Sequence, residues 1–405
     1  MTATIPPAPD AAGPSAGPAA SGGPATPDAR AVVLAGARVV TPDGVLDPGW
    51  VSLSGSSIAA IGSGAPPADA GEVVDLGGGW LLPGFIDLHV HGGGGHDFTA
   101  SPDDLAAGVA YHLSRGTTRT LVSLVTAPVD ALVTQLGWVA DAVEADTGVI
   151  GAHLEGPFLA SARCGAQNPA HLIDPTPEAV ERLLKAGRGH VRVVTVAPER
   201  PGGLELIEHL VAEGVVASVG HTDADYDTSL AAFERGASLV THAFNGMRGA
   251  HHREPGPVPA ALDAGVPCEL INDGVHVHPA AARLLLRGTD RLVLITDAID
   301  ATGVGDGTYT LGGQDVVVSD GQARLASSGS LAGSTLTMDV AVRRAVTDVG
   351  LDIVDASVAA SGTPARLLGL GGVCGAIAPG LDADLVLLDD GLELSRVLRG
   401  GRWLS

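Results

Sequence analysis

Cysteine is scarce in this sequence of 405 residues, which has only Cys164, Cys268 and Cys374 and no CxxC pair. Three widely spaced cysteines exclude a disulfide framework and favour a reducing compartment. Also absent is any run near the roughly 18 to 20 apolar residues that a membrane helix needs. Residues 1–30 are rich in Ala, Pro, Gly and Ser and lack a signal-peptide pattern. We therefore expect a cytoplasmic protein without a membrane partner, with a disordered tail over 1–30.

Basic residues are also few, since 23 Lys and Arg stand against 46 Asp and Glu, for a formal charge of −23. Such a negative field repels phosphodiester backbones and anionic lipid, so it excludes a nucleic-acid partner and argues against a membrane surface. An anionic small molecule would require a local cationic pocket. Lysine occurs once, at Lys185.

The length of the chain exceeds the roughly 250 to 300 residues at which one hydrophobic core stops growing, so a large domain with a smaller companion is expected. Eight apolar runs recur at 85–90, 119–125, 149–154, 191–196, 215–219, 238–241, 268–271 and 291–296. Most are separated by helix-compatible segments, and strands that alternate with helices indicate parallel βαβ units. Eight units predict an α/β fold with a closed (β/α)8 TIM-type barrel. An open doubly wound sheet is the alternative.

Short β-type runs between turn signals occur at both ends of the chain, over 32–76 and again at 375–378, 384–388 and 396–403. Two segments of the same type that flank a long middle predict one small discontinuous β-sandwich domain. The predicted organisation is a disordered tail at 1–30, the first part of the β-domain at 31–80, the barrel at 81–370 and the second part of the β-domain at 371–405.

Metal-type side chains follow several of the predicted barrel strands. They are His89, His91, Glu155, His221, His242 and Asp297. An isolated histidine or aspartate at a strand end is more often a hydrogen-bonded cap, but the active sites of barrels lie at the carboxyl ends of their strands. The set therefore predicts a divalent metal centre for hydrolysis, with Asp297 as the general base. Zinc is favoured, and iron, cobalt, manganese and cadmium are alternatives.

Five motifs carry a resemblance to a known family. They are GFIDLHVHG at 84–92, HLEGPF at 153–158, VGHT at 219–222, THAFNGM at 241–247 and TDA at 296–298. With GLDADLV at 380–386, they resemble the amidohydrolase superfamily and, more narrowly, its N-acetylglucosamine-6-phosphate deacetylase family. The resemblance extends from about residue 31 to the end. It implies metal-dependent removal of the acetyl group of N-acetylglucosamine 6-phosphate, giving glucosamine 6-phosphate and acetate.

The resemblance also implies roles for individual residues. Glu155, His221 and His242 hold the main metal, Asp297 accepts and returns the proton, and His89 with His91 keeps a second ion possible, so one or two ions bind per subunit. The sugar phosphate is contacted by Ala166, Gln167, Asn245, Gly246, Arg253, His276, Leu331, Ala332 and Gly333. Many members carry histidine at the position of Gln167. The loop of Arg253 reaches a partner subunit's site, which implies a homodimer.

Four alternatives stay open from the sequence. A dihydroorotase or hydantoinase type usually bridges two metals with a carboxylated lysine on a strand, whereas Lys185 falls in a predicted helix. A deaminase would not explain Glu155. Deacetylation of another amino-sugar phosphate, such as the N-acetylgalactosamine isomer, and an inactive metal-binding homologue are the remaining two.

Overall fold

The computed structural model describes residues 32–69, 71–288 and 291–404, so the predicted tail at 1–30 lies outside the described residues. The strands are β1 (Val32–Thr41), β2 (Gly44–Ser54), β3 (Ser57–Ser63), β4 (Glu72–Asp75), β5 (Trp80–Pro83), β6 (Phe85–Asp87), β7 (Gly92–Gly93), β8 (His96–Asp97), β9 (Thr117–Val125), β10 (Val149–Glu155), β11 (Val191–Val196), β12 (Val216–Val219), β13 (Leu239–Val240), β14 (Cys268–Ile271), β15 (Leu292–Ile295), β16 (Gly307–Leu311), β17 (Gln314–Ser319), β18 (Gln322–Leu325), β19 (Leu385–Leu388), β20 (Leu394–Arg399) and β21 (Arg402–Trp403). The helices are α1 (Pro102–Ser114), α2 (Val129–Glu144), α3 (Pro177–Ala186), α4 (Gly203–Ala212), α5 (Tyr226–Glu234), α6 (Pro257–Ala264), α7 (Pro279–Gly288), α8 (Met338–Arg344), α9 (Ile353–Ser357) and α10 (Thr363–Leu367).

Eight parallel strands form the barrel predicted from the apolar runs. Their order is β6, β9, β10, β11, β12, β13, β14 and β15, which follows the chain without reversal. The order of a doubly wound sheet reverses at a switch point, so the open alternative is excluded. The first and last strands approach each other at their carboxyl ends, where the Asp297 amide donates to the His89 carbonyl at 2.8 Å. The prediction of a barrel is confirmed.

Two helices on the barrel, α1 and α3, begin at residues that the sequence marks as caps. Ser101 accepts a hydrogen bond from the amide of Asp104 and precedes Pro102 at the first position of α1. Thr176 caps α3 in the same way before Pro177. A side-chain oxygen followed by proline satisfies one free amide and removes another, so these helices start at fixed points and set the length of the strand-to-helix loops.

The two ends of the chain share one sheet beside the barrel. Its order is β21, β20, β19, β5, β1, β2 and β3, with β4 paired to β1. The join is antiparallel between β19 and β5, and buried residues such as Leu34, Val51, Leu81 and Leu385 form its core. The predicted domain boundaries stay a prediction.

Two segments differ from the expectation drawn from the sequence. Residues 375–378 form no strand; Ile377 is buried against the terminal sheet, so the apolar pattern there reflects packing without pairing. A three-stranded antiparallel sheet of β16, β17 and β18 was not predicted. Its turns carry the two-residue signals Gly312-Gly313 and Asp320-Gly321, all at positive φ, which are typical of hairpins.

None of the helices in the part of the chain that the structure describes has both the length and the apolar character needed to cross a membrane.

A buried histidine of α1 predicts how stability depends on pH. His112 donates through Nε2 to the Gly92 carbonyl at 2.8 Å, and burial lowers its pKa from 6.5 to about 4. Between these values the unfolded chain binds a proton that the folded chain does not, so stability falls as the pH drops from 6.5 to 4. The loss approaches about 3 kcal/mol, at roughly 1.4 kcal/mol for each pKa unit.

The measurement is urea unfolding of metal-free protein at several pH values, for the wild type and for His112→Gln. The Gln amide still donates to Gly92 but does not titrate. We expect the two pH profiles to diverge below pH 6.5, with the wild type losing more stability. Parallel profiles would show that His112 is not a source of the pH dependence.

Candidate metal centre

The six metal-type residues predicted from the sequence lie together at the carboxyl end of the barrel, and all six are buried. Glu155 is the last residue of β10, and the others lie two to four positions beyond the ends of strands β6, β12, β13 and β15. Side chains that are up to 208 positions apart in the chain, from His89 to Asp297, meet because the carboxyl ends of parallel strands share one edge.

Glu155 connects two groups that have the spacing of metal ligands. In the first group, Glu155 Oε1 lies 2.9 Å from Nε2 of His221 and 2.9 Å from Nε2 of His242. In the second group, Glu155 Oε2 lies 3.2 Å from His91 Nε2, and Oε1 lies 3.3 Å from His89 Nε2. In each group the ligand atoms lie within 4.8 Å of one another. One carboxylate is therefore placed to serve two ions.

The hydrogen bonds of the rings test whether these residues fit a metal. Nδ1 of His221 lies 2.9 Å from the Arg163 carbonyl, and Nδ1 of His91 lies 3.2 Å from the Ser123 carbonyl. A carbonyl requires an N–H donor, so these two rings carry a hydrogen on Nδ1 and direct Nε2 toward the carboxylates. Nε2 of His221 and Nε2 of His242 are 3.0 Å apart, and both lie 2.9 Å from Glu155 Oε1. A divalent ion would take the place of the hydrogens that these atoms otherwise share, since two nitrogens on one zinc ion are expected about 3.3 Å apart. The donor set fits a divalent metal.

The charges at the centre reinforce one another. Burial alone would raise the pKa of Glu155, but His89 and hydrogen bonds from His221 and His242 hold it well below its usual range. Burial likewise opposes protonation of His91, yet Asp297 and Glu155 raise its pKa to about 9. The carboxylates are therefore ionised at neutral pH, which is the form that binds metal.

Three of the six metal-type residues have a strained backbone. His221, His242 and Asp297 have φ values of 46°, 30° and 51°, and they are three of the eight described residues other than glycine with positive φ. L-residues rarely adopt positive φ, and each such residue costs on the order of 1 to 3 kcal/mol. The surrounding hydrogen bonds hold these three side chains in directions that a relaxed strand end would not give.

Asp297 faces the centre but also borders open space. Its Oδ1 lies 3.1 Å from His91 Nε2 and 3.5 Å from His89 Nε2. Burial alone would raise its pKa, but the charge of His89 and a hydrogen bond from His91 lower it, so Asp297 is a carboxylate near neutral pH. It lines a cavity of about 270 Å³ above the metal-type side chains.

Most of the substrate residues predicted from the resemblance line this cavity. They are Ala166, Gln167, Asn245, Gly246, His276, Leu331 and Gly333. Ala332 is buried in the hydrophobic cluster behind them, and Arg253 is exposed on a loop that does not line the cavity. Gly165, Leu311 and Ser330 also line it and were not predicted. The hairpin signals that precede β17 were the available clue to Leu311.

Gln167 is held at both ends of its amide group. Its Oε1 accepts a hydrogen bond from the Thr126 amide at 2.7 Å, and its Nε2 donates to Glu155 Oε2 at 2.7 Å. The Thr126 bond fixes which end of the amide faces the metal-type residues. Gln167 therefore orients Glu155, and its contact with a substrate stays a prediction.

Lys185 takes no part in the centre. It lies exposed on α3 and does not line the cavity of the centre, so it cannot bridge ions as a carboxylated lysine would. The dihydroorotase or hydantoinase reading loses its bridging ligand.

A (β/α)8 barrel with clustered histidine and carboxylate ligands at its carboxyl end defines a metal-dependent hydrolase. Comparison with known proteins agrees. Residues 80–404 match the amidohydrolase family. An N-acetylgalactosamine-6-phosphate deacetylase from Escherichia coli O157:H7 is 39% identical over 92% of this chain and 99% of its own. An N-acetylglucosamine-6-phosphate deacetylase from Bos taurus is 40% identical over 80% and 83%.

Solved structures show the same relationship. A mutant N-acetyl-D-glucosamine-6-phosphate deacetylase from Mycobacterium smegmatis, solved with N-acetyl-D-glucosamine-6-phosphate, is 44% identical with a TM-score of 0.88, covering 92% of this chain and 99% of that one. The N-acetylglucosamine-6-phosphate deacetylase of Thermotoga maritima is 31% identical with a TM-score of 0.83, covering 92% and 99%. The chain belongs to the amidohydrolase family, as its motifs predicted.

Proposed function

We propose that this protein hydrolyses the N-acetyl group of N-acetylglucosamine 6-phosphate, giving glucosamine 6-phosphate and acetate. The observation that carries the proposal is the Glu155 centre with a free carboxylate, Asp297, at the edge of the cavity. The identity to named deacetylases over most of the chain supports the choice of substrate.

The residues divide the chemistry between them. We assign Glu155, His221 and His242 as the main metal ligands and His89 with His91 as ligands of a second ion. A divalent ion, for which we favour zinc, supplies Lewis acidity that lowers the pKa of water and polarises a carbonyl. Asp297 accepts the proton of the attacking water and then donates it to the departing nitrogen, which leaves as the amine.

The phosphate group needs positive charge that the cavity itself does not provide. Within the described residues its lining contains no Arg or Lys, and His276 is the remaining basic side chain beyond the metal-type histidines. The Nδ1 of His276 is 2.6 Å from an Asp273 oxygen, so an acidic side chain lies directly beside it. Arg253 is exposed, and its guanidinium contacts His252. We propose that Arg253 enters the cavity of a second copy in a homodimer, where it binds phosphate.

This arrangement predicts complementation between two inactive variants. Arg253→Ala and Asp297→Asn each lack one half of every site in a homodimer. Co-expressed with different tags, they form mixed dimers in which one site receives an intact Asp297 and a partner's Arg253. Each mixed dimer regenerates one of its two sites, so purified mixed dimers are expected to have about half of the wild-type activity.

The measurement is acetate release by purified mixed dimers. The matched control combines Arg253→Ala with an Arg253→Ala chain that carries the second tag, which regenerates no site. Mixed dimers as inactive as this control would show that Arg253 does not act across a subunit boundary.

Turnover on both epimers tests the function itself. The second candidate substrate is N-acetylgalactosamine 6-phosphate, because the Escherichia coli relative at 39% identity is named for it. Zinc-loaded protein of known metal content is given each epimer, and acetate is measured side by side. We expect the glucosamine compound to have the higher kcat/KM. A higher kcat/KM on N-acetylgalactosamine 6-phosphate would make that compound the substrate. If the fully metal-loaded protein released no acetate from either compound, it would be an inactive homologue. A cytoplasmic location stays a prediction.

A further inference from the structure

Glu269 is a carboxylate buried without a role in the site described above. It lies on β14 with no exposed surface. Its neighbours Cys268 and Leu270 pack into the main hydrophobic cluster, and alternate residues of a strand point to opposite faces, so Glu269 points into the barrel. A buried carboxylate is costly unless polar partners compensate for the lost water.

One oxygen of Glu269 reaches both groups of metal-type residues. Its Oε2 lies 3.2 Å from His89 Nδ1 and accepts the amide hydrogen of His242 at 3.1 Å. The other oxygen, Oε1, has no hydrogen-bond partner among the described residues. The carboxylate therefore contacts a ring of the second group and the backbone of the first.

The partner of His89 differs from the partners of the other rings. His91 and His221 direct Nδ1 to the backbone carbonyls of Ser123 and Arg163. Among the four ligand-type histidines in the described ranges, His89 alone has a carboxylate beside its Nδ1, and Nδ1 of His242 has no hydrogen-bond partner there. A carboxylate holds the hydrogen on Nδ1 and makes Nε2 a stronger donor to metal, which a neutral carbonyl does less well.

We propose that Glu269 is a positioning residue that fixes the tautomer of His89, and that it thereby sets the affinity of the His89, His91 and Glu155 group for a divalent ion. Nε2 of His89 already lies 3.2 Å from Nε2 of His91 and 3.3 Å from Glu155. With hydrogen on Nδ1, the Nε2 lone pair faces these two groups. The inference rests on the proposed function, in that both ions serve one hydrolytic centre.

Glu269→Gln is the sharpest test because it preserves shape and removes the charge. The Gln oxygen can take the place of Oε2 and accept from both the His242 amide and His89 Nδ1, which leaves the NH2 group on the side of the unpartnered Oε1. His89 then keeps a hydrogen bond but loses its charged acceptor, so its Nε2 becomes a weaker donor to metal.

The measurement is calorimetric titration of metal-free protein with Zn²⁺, checked by elemental analysis after desalting. We expect the wild type to bind two ions per chain. In Glu269→Gln, the first dissociation constant changes by less than about 3-fold and the second weakens by about 10-fold to 100-fold. This readout requires no turnover.

Two further variants serve as controls. Asp339→Asn removes another buried carboxylate, on α8, where it pairs with Arg115 away from the centre, and it is expected to leave both zinc affinities unchanged. His89→Asn removes the second ion directly. If Glu269 acts through His89, adding Glu269→Gln to His89→Asn changes zinc binding no further, since the two changes break one interaction.

Three results would overturn the inference: a wild type saturated by one ion, equal weakening of both ions in Glu269→Gln, or an unchanged second ion. If Glu269→Gln does not fold, Glu269→Asp replaces it, and its shorter carboxylate is expected to weaken the second ion selectively. Two ions in the wild type with a weakened second ion in the variant support the inference even where no amino-sugar phosphate is hydrolysed, and that failure falls on the proposed substrate alone.

Discussion

Asp297→Asn is expected to lower kcat for acetate release by about 10³-fold or more, because loss of a positioned general acid and base costs roughly 10² to 10⁴ in rate. The amide keeps the size of the side chain but accepts no proton. Asp297 lies beyond the two ligand groups, at 3.1 Å from His91. We therefore expect zinc content to stay near the wild-type value and KM to change little.

The matched control for Asp297→Asn is Asp300→Asn. It makes the same chemical change three residues further along the chain, at a side chain that does not line the cavity, and kcat is expected to stay within about 3-fold of the wild type. An Asp297→Asn enzyme that retains a tenth of the wild-type rate would require another base. One that loses zinc as well would make Asp297 a ligand.

Glu155→Gln is expected to weaken zinc binding more than the substitution of any other metal-type residue, because Glu155 belongs to both groups. A neutral amide binds divalent ions poorly, so both zinc affinities fall, by about 100-fold or more, and activity falls with them. Elemental analysis after dialysis measures the loss. The thermal unfolding midpoint of zinc-loaded samples also drops, since a ligand that binds the folded state stabilises it.

His91→Asn is the matched comparison for Glu155→Gln. It changes a residue of the second group alone, and the first ion should remain at full occupancy. If Glu155→Gln retains one ion with unchanged affinity, the shared carboxylate is not a ligand of the first group. The two variants together separate a bridging role for Glu155 from a role in one group.

The sequence predicted the barrel because each strand is a short apolar run that ends at a turn. This pattern can be recognised without any knowledge of contacts. The ligands followed from their place after those runs. The prediction of a strand at 375–378 was wrong, because Ile377 is buried there by packing and not by strand pairing. Glu269 was missed although an acidic residue inside the run 268–271 was visible. Its role follows from its contact with His89, and a contact between residues 180 positions apart cannot be predicted from a local sequence pattern.

The contact between the first and last barrel strands has a consequence for the order in which the site is completed during synthesis. His89 follows the first barrel strand and Asp297 follows the last, and the two meet through the hydrogen bond from the Asp297 amide to the His89 carbonyl. When the first 240 residues have been synthesised, His89, His91, Glu155 and His221 are present, but His242 and Asp297 are not. Neither ligand group shares its barrel edge with the base until the last strand is made, so the complete site forms only when the barrel closes.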